Sequence, residues 1–171
     1  MSTPKRQIHA PGTYFITTRT WQSHALFFNE TNANTVIETL LGYRDAGHYQ
    51  LHSFVVMPEH IHVLVTPADE ISLERAVQFI KGGSSHRIGL LSNRKFPLWQ
   101  RGYSDHRVRD ADDYAMHVAY IELNPVKRRL VANAEDYRYS SAHPGFTLDP
   151  IPQRLKPGIN GCVFGTVQTV P

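Results

Sequence analysis

The sequence contains a single cysteine, Cys162, no long apolar run and no strong excess of charge of either sign. One thiol cannot form a disulfide within the chain, which favours a reducing compartment. The first residues lack the apolar core of a signal peptide, and no stretch approaches the roughly 20 apolar residues that cross a membrane. These absences predict a soluble protein of the cytoplasm.

The small positive charge is the next constraint on function. The formal net charge is +3, from 18 lysines and arginines against 15 aspartates and glutamates. Such a chain is compatible with nucleic-acid binding, although many basic proteins bind none. Hydrophobic residues make up 41% of the 171 residues, which is enough for a core. We expect one domain over residues 1–145 and a Pro- and Gly-rich tail over 146–171.

The first half of the chain alternates strand-like and helix-like segments. Residues 13–20, TYFITTRT, are β-branched and aromatic and predict a strand. From Asn29 onwards the apolar residues recur at helical spacing, and Gly47 predicts the end of that helix. Residues 48–57 and 60–66 predict two more strands, and the two-residue break between them indicates an antiparallel hairpin.

Two further helices and one strand complete the predicted order. Ser72 caps a helix over 73–91, and a glycine pair weakens the middle of this helix. Residues 96–110 predict a strand, and Asp110 caps a third helix that Pro125 interrupts. The order β-α-β-β-α-β-α contains the split βαβ arrangement. We therefore expect an α+β, ferredoxin-like antiparallel sheet with an added C-terminal helix.

The stretch MPEHIHVLV, which begins at Met57, places two histidines one residue apart. Residues i and i+2 of a strand share a face, so His60 and His62 point one way while Ile61 and Val63 point the other. Neutral imidazoles are good ligands for divalent transition metals, and two on one strand face suit a metal site. Ordinary buried or surface histidines would give the same spacing, so the pair alone leaves both interpretations open.

The third predicted helix carries a second group of polar side chains. His117, Tyr120 and Asn124 fall on one helical stripe, whereas Val118 and Ile121 lie on a more apolar one. A histidine, a tyrosine and an amide are thus aligned on a face that is not obviously core. A half-buried tyrosine, followed by an asparagine that only ends the helix before proline, would give the same pattern.

Together, the segments MPEHIHVLV and HVAYIELNPVKRRLV resemble the REP-associated tyrosine transposases. These enzymes belong to the HUH class of single-tyrosine transposases, where U is a bulky apolar residue. The triplet His60-Ile61-His62 matches HUH, and YIELNPV, from Tyr120 onwards, matches the family motif Tyr-Ile-x-x-Asn-Pro-Val. The segments TYFITTRT and WQRGYSDHRVRDADDYAMHVAYI are also similar to the family, so the resemblance covers most of the predicted domain.

The resemblance implies a metal-dependent endonuclease and strand transferase. Its substrate would be single-stranded, hairpin-forming repetitive extragenic palindromic (REP) DNA, cut through a 5′-phosphotyrosine intermediate. By family analogy His60, His62 and Asn124 bind a divalent ion, and Tyr120 is the nucleophile. The family implies Mg²⁺ or Mn²⁺, whereas imidazole and amide ligands alone suit manganese or zinc better than magnesium. The identity of the ion therefore stays open.

A tyrosine nucleophile needs a group that accepts its proton, and the sequence offers two candidates. His117 precedes Tyr120 by about one helical turn, and Glu59 stands beside His60. His117 could equally be a surface histidine, and Glu59 could instead serve the hairpin turn.

Basic residues cluster in two places around these motifs. Cations among aromatic rings suit single-stranded nucleic acid, because the cations meet phosphates and the rings stack on bases. The predicted DNA-contacting residues are Trp99, Arg101, Tyr103, Arg107, Arg109, Lys127, Arg128 and Arg129. A solvated basic face would give the same composition, and base specificity cannot be read from it.

Two other functions compete with the enzyme. One is a hairpin-binding protein derived from a transposase that no longer cuts DNA; intact His60, His62, Tyr120 and Asn124 argue against it. The other is a histidine-triad nucleotide hydrolase, which needs a further alternating histidine where Leu64 stands. The sequence leaves open whether the chain acts as a monomer or a homodimer.

Overall fold

The computed structural model describes residues 11–92 and 97–156, and the predicted order of elements is confirmed. The strands are β1 (Tyr14–Arg19), β2 (Tyr49–Met57), β3 (His60–Pro67) and β4 (Ser104–Arg107). The helices are α1 (Glu30–Asp45), α2 (Leu73–Leu91) and α3 (Ala111–Lys127). Cys162 and the predicted tail beyond residue 156 lie outside the described residues.

The four strands form one antiparallel sheet in the order β2-β3-β1-β4. The connection through α1 leaves β3 between β1 and β2, which is the split βαβ arrangement. The α+β fold class predicted from the sequence is therefore confirmed. In this register Thr17 lies opposite His62, and Arg19 lies opposite His60. Both histidines thus lie on β3, one of the two central strands, next to β1.

Apolar residues are buried on both faces of this sheet. Ile61, Val63 and Val65 belong to the larger core beneath α1 and α2. Leu64 belongs to a second, smaller core on the other face, together with Ile121 of α3. The face that carries His60 and His62 is therefore covered by α3, and both histidines are buried.

Each helix begins where the sequence supplies a capping side chain. Asn29 and Ser72 accept hydrogen bonds from the backbone N–H three residues further on, as Asp110 does for α3. The caps predicted at Ser72 and Asp110 are thus confirmed. Gly47, just beyond the end of α1, has a φ of +78°, a left-handed conformation that favours glycine.

The predicted weak point in α2 does not end the helix. The helix runs unbroken through Gly82 and Gly83 because α1 packs closely against it there. A Cβ atom on Gly83 would lie 2.6 Å from Cε2 of Tyr43 and 3.0 Å from Cγ2 of Thr39. The second glycine therefore allows the two helices to approach each other.

Two predicted boundaries were wrong. Pro125 does not interrupt α3, which continues to Lys127, because the following amides still find acceptors: the N–H of Arg128 bonds to the carbonyl of Asn124. The predicted strand over 96–110 is shorter in the structure, where β4 holds four residues and Trp99 adds only an isolated bridge to Thr20. The aromatic and basic composition of that segment did not mark where pairing starts.

The chain after α3 returns along β2. The N–H of Val56 bonds to the carbonyl of Tyr139 at 2.8 Å, which covers part of the sheet edge. Asp149 accepts hydrogen bonds from the N–H of Leu51 and from Nε of Arg44. Leu155 is buried in the smaller core. The described part of the predicted tail, residues 146–156, therefore packs on the domain.

Across residues 11–92 and 97–156, no helix is long and apolar enough to cross a membrane.

Candidate metal and nucleophile site

The two histidines of β3 bring one nitrogen each to the same point. Nε2 of His60 and Nε2 of His62 lie 3.1 Å apart beneath α3. The rings meet nearly edge-on, with their centroids 4.7 Å apart. Only 4% and 5% of the two residues are exposed, so the sheet and α3 hold the rings in a fixed arrangement. The prediction that the pair shares one strand face is confirmed.

The far nitrogen of each ring is held by a second residue. Nδ1 of His60 donates to the Glu59 carboxylate at 3.0 Å, which leaves Nε2 of His60 as an acceptor. Nδ1 of His62 lies 2.7 Å from the hydroxyl of Thr17, which can accept or donate. When Thr17 accepts, two Nε2 lone pairs face each other at 3.1 Å, an arrangement that a bound cation relieves. Such outer hydrogen bonds are what orients histidines that bind metals.

Burial also keeps both imidazoles neutral. Together with the charges of His60 and Arg19, it lowers the pKa of His62 to about 3. Burial lowers the pKa of His60 as well, with Glu59 acting in the opposite direction. Near neutral pH both rings therefore keep a lone pair that a metal ion can use.

Helix α3 places Tyr120 and Asn124 over this point. The ring of Tyr120 lies 5.2 Å from the ring of His62, at an angle of 74°. Two turns later, Arg128 donates a hydrogen bond to Glu59, next to His60. Asn124 lies one turn after Tyr120 and one turn before Arg128, so it occupies the same stripe of the helix, facing β3.

The Asn124 side chain is buried and makes no hydrogen bond with any described residue. An amide in that state has an oxygen available for a ligand. Two nitrogens bound to one ion at about 2.1 Å and at a right angle would lie about 3 Å apart, close to the separation of the two histidines. The donor set of His60, His62 and Asn124 therefore fits a six-coordinate divalent cation.

Phe15 of β1 is the centre of an aromatic cluster beside this donor set. Its ring stacks on His62 at 5.3 Å, meets Tyr120 edge-on at 5.7 Å and contacts His117 at 4.6 Å. Tyr120 is 41% exposed, so its side chain is accessible from solvent while Phe15 and His62 contact its inner side.

A second cluster of ligand-type side chains surrounds the buried Asp113. One ligand atom each from His106, Asp113 and His117 lies within 4.8 Å of the others. Oδ2 of Asp113 accepts from Nε2 of His106 at 2.9 Å and from the backbone and Nε of Arg109. Although burial raises the pKa of Asp113, these hydrogen bonds hold it well below its ordinary value. The rings of His106 and His117 stack at 20°, and Nδ1 of His117 lies 3.2 Å from Oδ1 of Asp113.

The two candidate proton acceptors, His117 and Glu59, differ in whether their acceptor atoms already have hydrogen bonds. Nδ1 of His117 donates to the backbone carbonyl of Asp113 at 2.8 Å, which leaves Nε2 as its acceptor nitrogen. Glu59 already accepts from His60 and Arg128, and despite burial their charges keep its pKa low. Of the two, His117 is the one whose acceptor atom makes no hydrogen bond with a described residue.

The predicted DNA-contacting residues differ in their exposure and in their partners. Arg101, Lys127 and Arg129 are exposed, whereas Arg109 and Arg128 are exposed but paired with carboxylates. Nη2 of Arg107 donates to the carbonyl of Pro11. Tyr103 packs partly against the core, where burial raises its pKa to about 12. Trp99 is 6% exposed and its Nε1 donates to Ser84, which favours a core role over base stacking.

Sequence reasoning did not single out Phe15, Thr17 or Asp113. Phe15 and Thr17 alternate along TYFITTRT, so they share a strand face, but only the register shows that this is the face of His62. Asp113 precedes His117 by four residues, a spacing that hinted at the contact within α3.

Known proteins resemble this chain in sequence. The sequence profile of a family described as "Transposase IS200 like" matches residues 12–124, from β1 to Asn124. A protein of Escherichia coli (strain K12) named REP-associated tyrosine transposase is 27% identical over 144 residues, which is 84% of each chain. The resemblance drawn from the sequence motifs is thereby confirmed.

Solved structures match as well. The structure of a REP-associated tyrosine transposase bound to a REP hairpin is 27% identical, covers 82% of each chain and has a TM-score of 0.65. A crystal structure of a Deinococcus radiodurans protein is 20% identical and has a TM-score of 0.51. It covers 71% of this chain and 96% of its own, and it supports the fold alone.

Proposed function

Because the chain belongs to the IS200-like transposase family, we propose that it cuts and rejoins single-stranded DNA with Tyr120 as the nucleophile. One observation carries the proposal: the ring of Tyr120 lies 5.2 Å from the ring of His62, whose Nε2 meets the Nε2 of His60. Two nitrogens that can bind a metal ion, held on a strand next to an accessible phenol, suit attack on a phosphate diester.

His60, His62 and Asn124 would hold the divalent ion, either Mg²⁺ or Mn²⁺. When bound, such an ion neutralises phosphate oxygens and orients the scissile phosphate. The outer residues Glu59 and Thr17 keep the imidazoles aimed at that point. Because the substrate phosphate supplies further oxygen ligands, the site need not discriminate against magnesium.

In the cleavage step, the phenol oxygen of Tyr120 forms a bond to phosphorus and the bond to the 3′-oxygen breaks. The product is a 5′-phosphotyrosine and a free 3′-OH, and attack by a 3′-OH on this intermediate reverses the step without an external energy source. A free phenol ionises near pH 10, which corresponds to about 4 kcal/mol at neutral pH. Nε2 of His117 accepts the proton in this mechanism.

The substrate we propose is hairpin-forming REP DNA, because the structural relative was solved with a REP hairpin. The exposed cations Arg101, Lys127 and Arg129 would contact its backbone, with a smaller contribution from the paired Arg109 and Arg128. The protein would act in the cytoplasm, as a monomer or a homodimer.

Covalent trapping tests the function. Wild-type protein, incubated with single-stranded REP hairpin DNA and Mn²⁺ or Mg²⁺, should give an adduct that survives a denaturing gel. Tyr120→Phe should abolish the adduct and retain DNA binding, whereas Tyr114→Phe on the same helix should still form it. An adduct in the Tyr120→Phe protein would refute the assignment. Tight binding with no adduct in any metal would instead identify a hairpin-binding protein that no longer cuts.

A further inference from the structure

Three cations follow Asn124, and their surroundings differ. Arg128 pairs with Glu59 at 2.8 Å. Arg129 lies beyond the end of α3, exposed, with a φ of +57°. Lys127 is the one of the three whose side chain reaches Tyr120: its Nζ lies 5.3 Å from the centroid of the phenol ring. Lys127 and Tyr120 are two helical turns apart on α3, which explains the contact.

The Lys127 ammonium has no carboxylate partner within residues 11–92 and 97–156. Two of its basic neighbours are already paired, Arg128 with Glu59 and Arg109 with Asp113. An exposed, compact ammonium with three donors is suited to bind a phosphate oxygen. The contact with Tyr120 places this charge where the proposed reaction takes place.

The ring of Tyr120 contacts both a candidate metal-ligating imidazole and an ammonium. His62 meets the ring at 5.2 Å, and the Lys127 ammonium lies over it at 5.3 Å. A phosphorus atom attacked by the phenol oxygen must come within about 3.5 Å of that oxygen. Both the imidazole pair and the ammonium would then lie near the attacked phosphate.

We propose that Lys127 is a catalytic residue that binds a non-bridging oxygen of the scissile phosphate; this inference rests on the proposed function. As the bond from the Tyr120 oxygen to phosphorus forms and the bond to the 3′-oxygen breaks, the ammonium stabilises the charge on the non-bridging oxygens. The phenol proton passes to His117, and the 3′-oxygen takes a proton from water. Lys127 itself stays protonated throughout.

A lysine in the last turn of a helix also interacts favourably with the terminal carbonyls. That role predicts a change in stability when the charge is removed, and no change in the rate of an assembled complex. The two roles are therefore separable by measuring stability and the chemical step independently.

The experiment compares Lys127→Met with the matched variant Arg129→Met, which removes a neighbouring charge that does not lie over the phenol. Adduct formation is measured in single turnover with saturating REP hairpin DNA and Mn²⁺, and DNA affinity is measured by anisotropy. We expect Lys127→Met to slow the chemical step by about 100-fold. Affinity should fall by the same small factor in both variants, and Lys127→Arg should restore part of the rate.

Equal single-turnover rates in Lys127→Met and Arg129→Met would overturn the inference, as would a loss confined to affinity. If Lys127→Met does not fold, judged by thermal unfolding, Lys127→Gln takes its place. A wild-type protein that forms no adduct with any divalent ion overturns the proposed function and the role of Lys127 together. A wild-type protein that forms the adduct while the lysine variants match Arg129→Met overturns the role of Lys127 alone.

Discussion

Arg128 donates a hydrogen bond of 2.8 Å to the Glu59 carboxylate, which also accepts one from Nδ1 of His60. The contact joins the last turn of α3 to the hairpin turn before β3, across 69 residues of sequence. It therefore fixes the helix of Tyr120 and Asn124 relative to the two imidazoles. We infer that Glu59 positions the site.

Replacing Glu59 with glutamine should weaken Mn²⁺ binding by about 10- to 100-fold, because a neutral amide orients His60 and holds Arg128 less firmly. Isothermal titration of the metal-free protein with Mn²⁺ measures the change. Glu38→Gln is the matched control, since Glu38 pairs with Arg87 on the exposed surface of α1 and α2. Equal affinities in the two variants would mean that Glu59 does not support the site.

Neighbouring threonines on β1 provide a second test. The hydroxyl of Thr17 lies 2.7 Å from Nδ1 of His62, whereas the buried hydroxyl of Thr18 has no hydrogen-bond partner in the described chain. Thr17→Val keeps the shape and should weaken Mn²⁺ binding by about 10-fold. Thr18→Val should leave binding unchanged and leave the free energy of unfolding unchanged or higher. Metal titration and urea denaturation distinguish the two variants, and a loss of binding in Thr18→Val alone would contradict the assignment.

The sequence was sufficient for the order of elements and for the shared face of His60 and His62. Both are local properties: helical spacing, capping residues and the two-residue period of a strand. The contacts of Thr17 with His62 and of Arg128 with Glu59 depend on strand register and on how α3 crosses the sheet. Those follow from packing between distant segments, which local patterns do not encode.

The buried role of Trp99 illustrates the same limit. Its position between arginines and tyrosines is typical of a nucleic-acid surface, yet the indole packs on Phe27 and donates to Ser84. The sequence pattern records which side chains are neighbours along the chain, and only the fold decides which of them face the solvent.

Acid should destabilise the metal-free protein through its buried histidines. Below its ordinary pKa of 6.5, His62 binds a proton in the unfolded chain, whereas burial keeps it neutral in the fold down to about pH 3. The unfolded state thus holds more protons in this window, and stability falls as the pH is lowered, by at most about 1.4 kcal/mol per pH unit for one histidine. Urea denaturation with a chelator should show a flatter dependence in His62→Gln. If the free energy of unfolding depends on pH equally in the wild type and in His62→Gln, His62 does not stay neutral in the fold.

The adjacent glycines of α2 should respond to alanine in opposite directions. A Cβ on Gly82 meets nothing within 4 Å, so Gly82→Ala gains helix propensity and should stabilise the protein by about 0.5–1 kcal/mol. A Cβ on Gly83 would lie 2.6 Å from the Tyr43 ring, and the displacement of α1 should outweigh the same gain. We expect Gly83→Ala to lower the free energy of unfolding by about 1–3 kcal/mol, measured by urea denaturation. Because α2 packs on the sheet face opposite the histidines, Mn²⁺ affinity should stay unchanged in both variants, and a loss of metal binding in Gly83→Ala would show that the two faces are coupled.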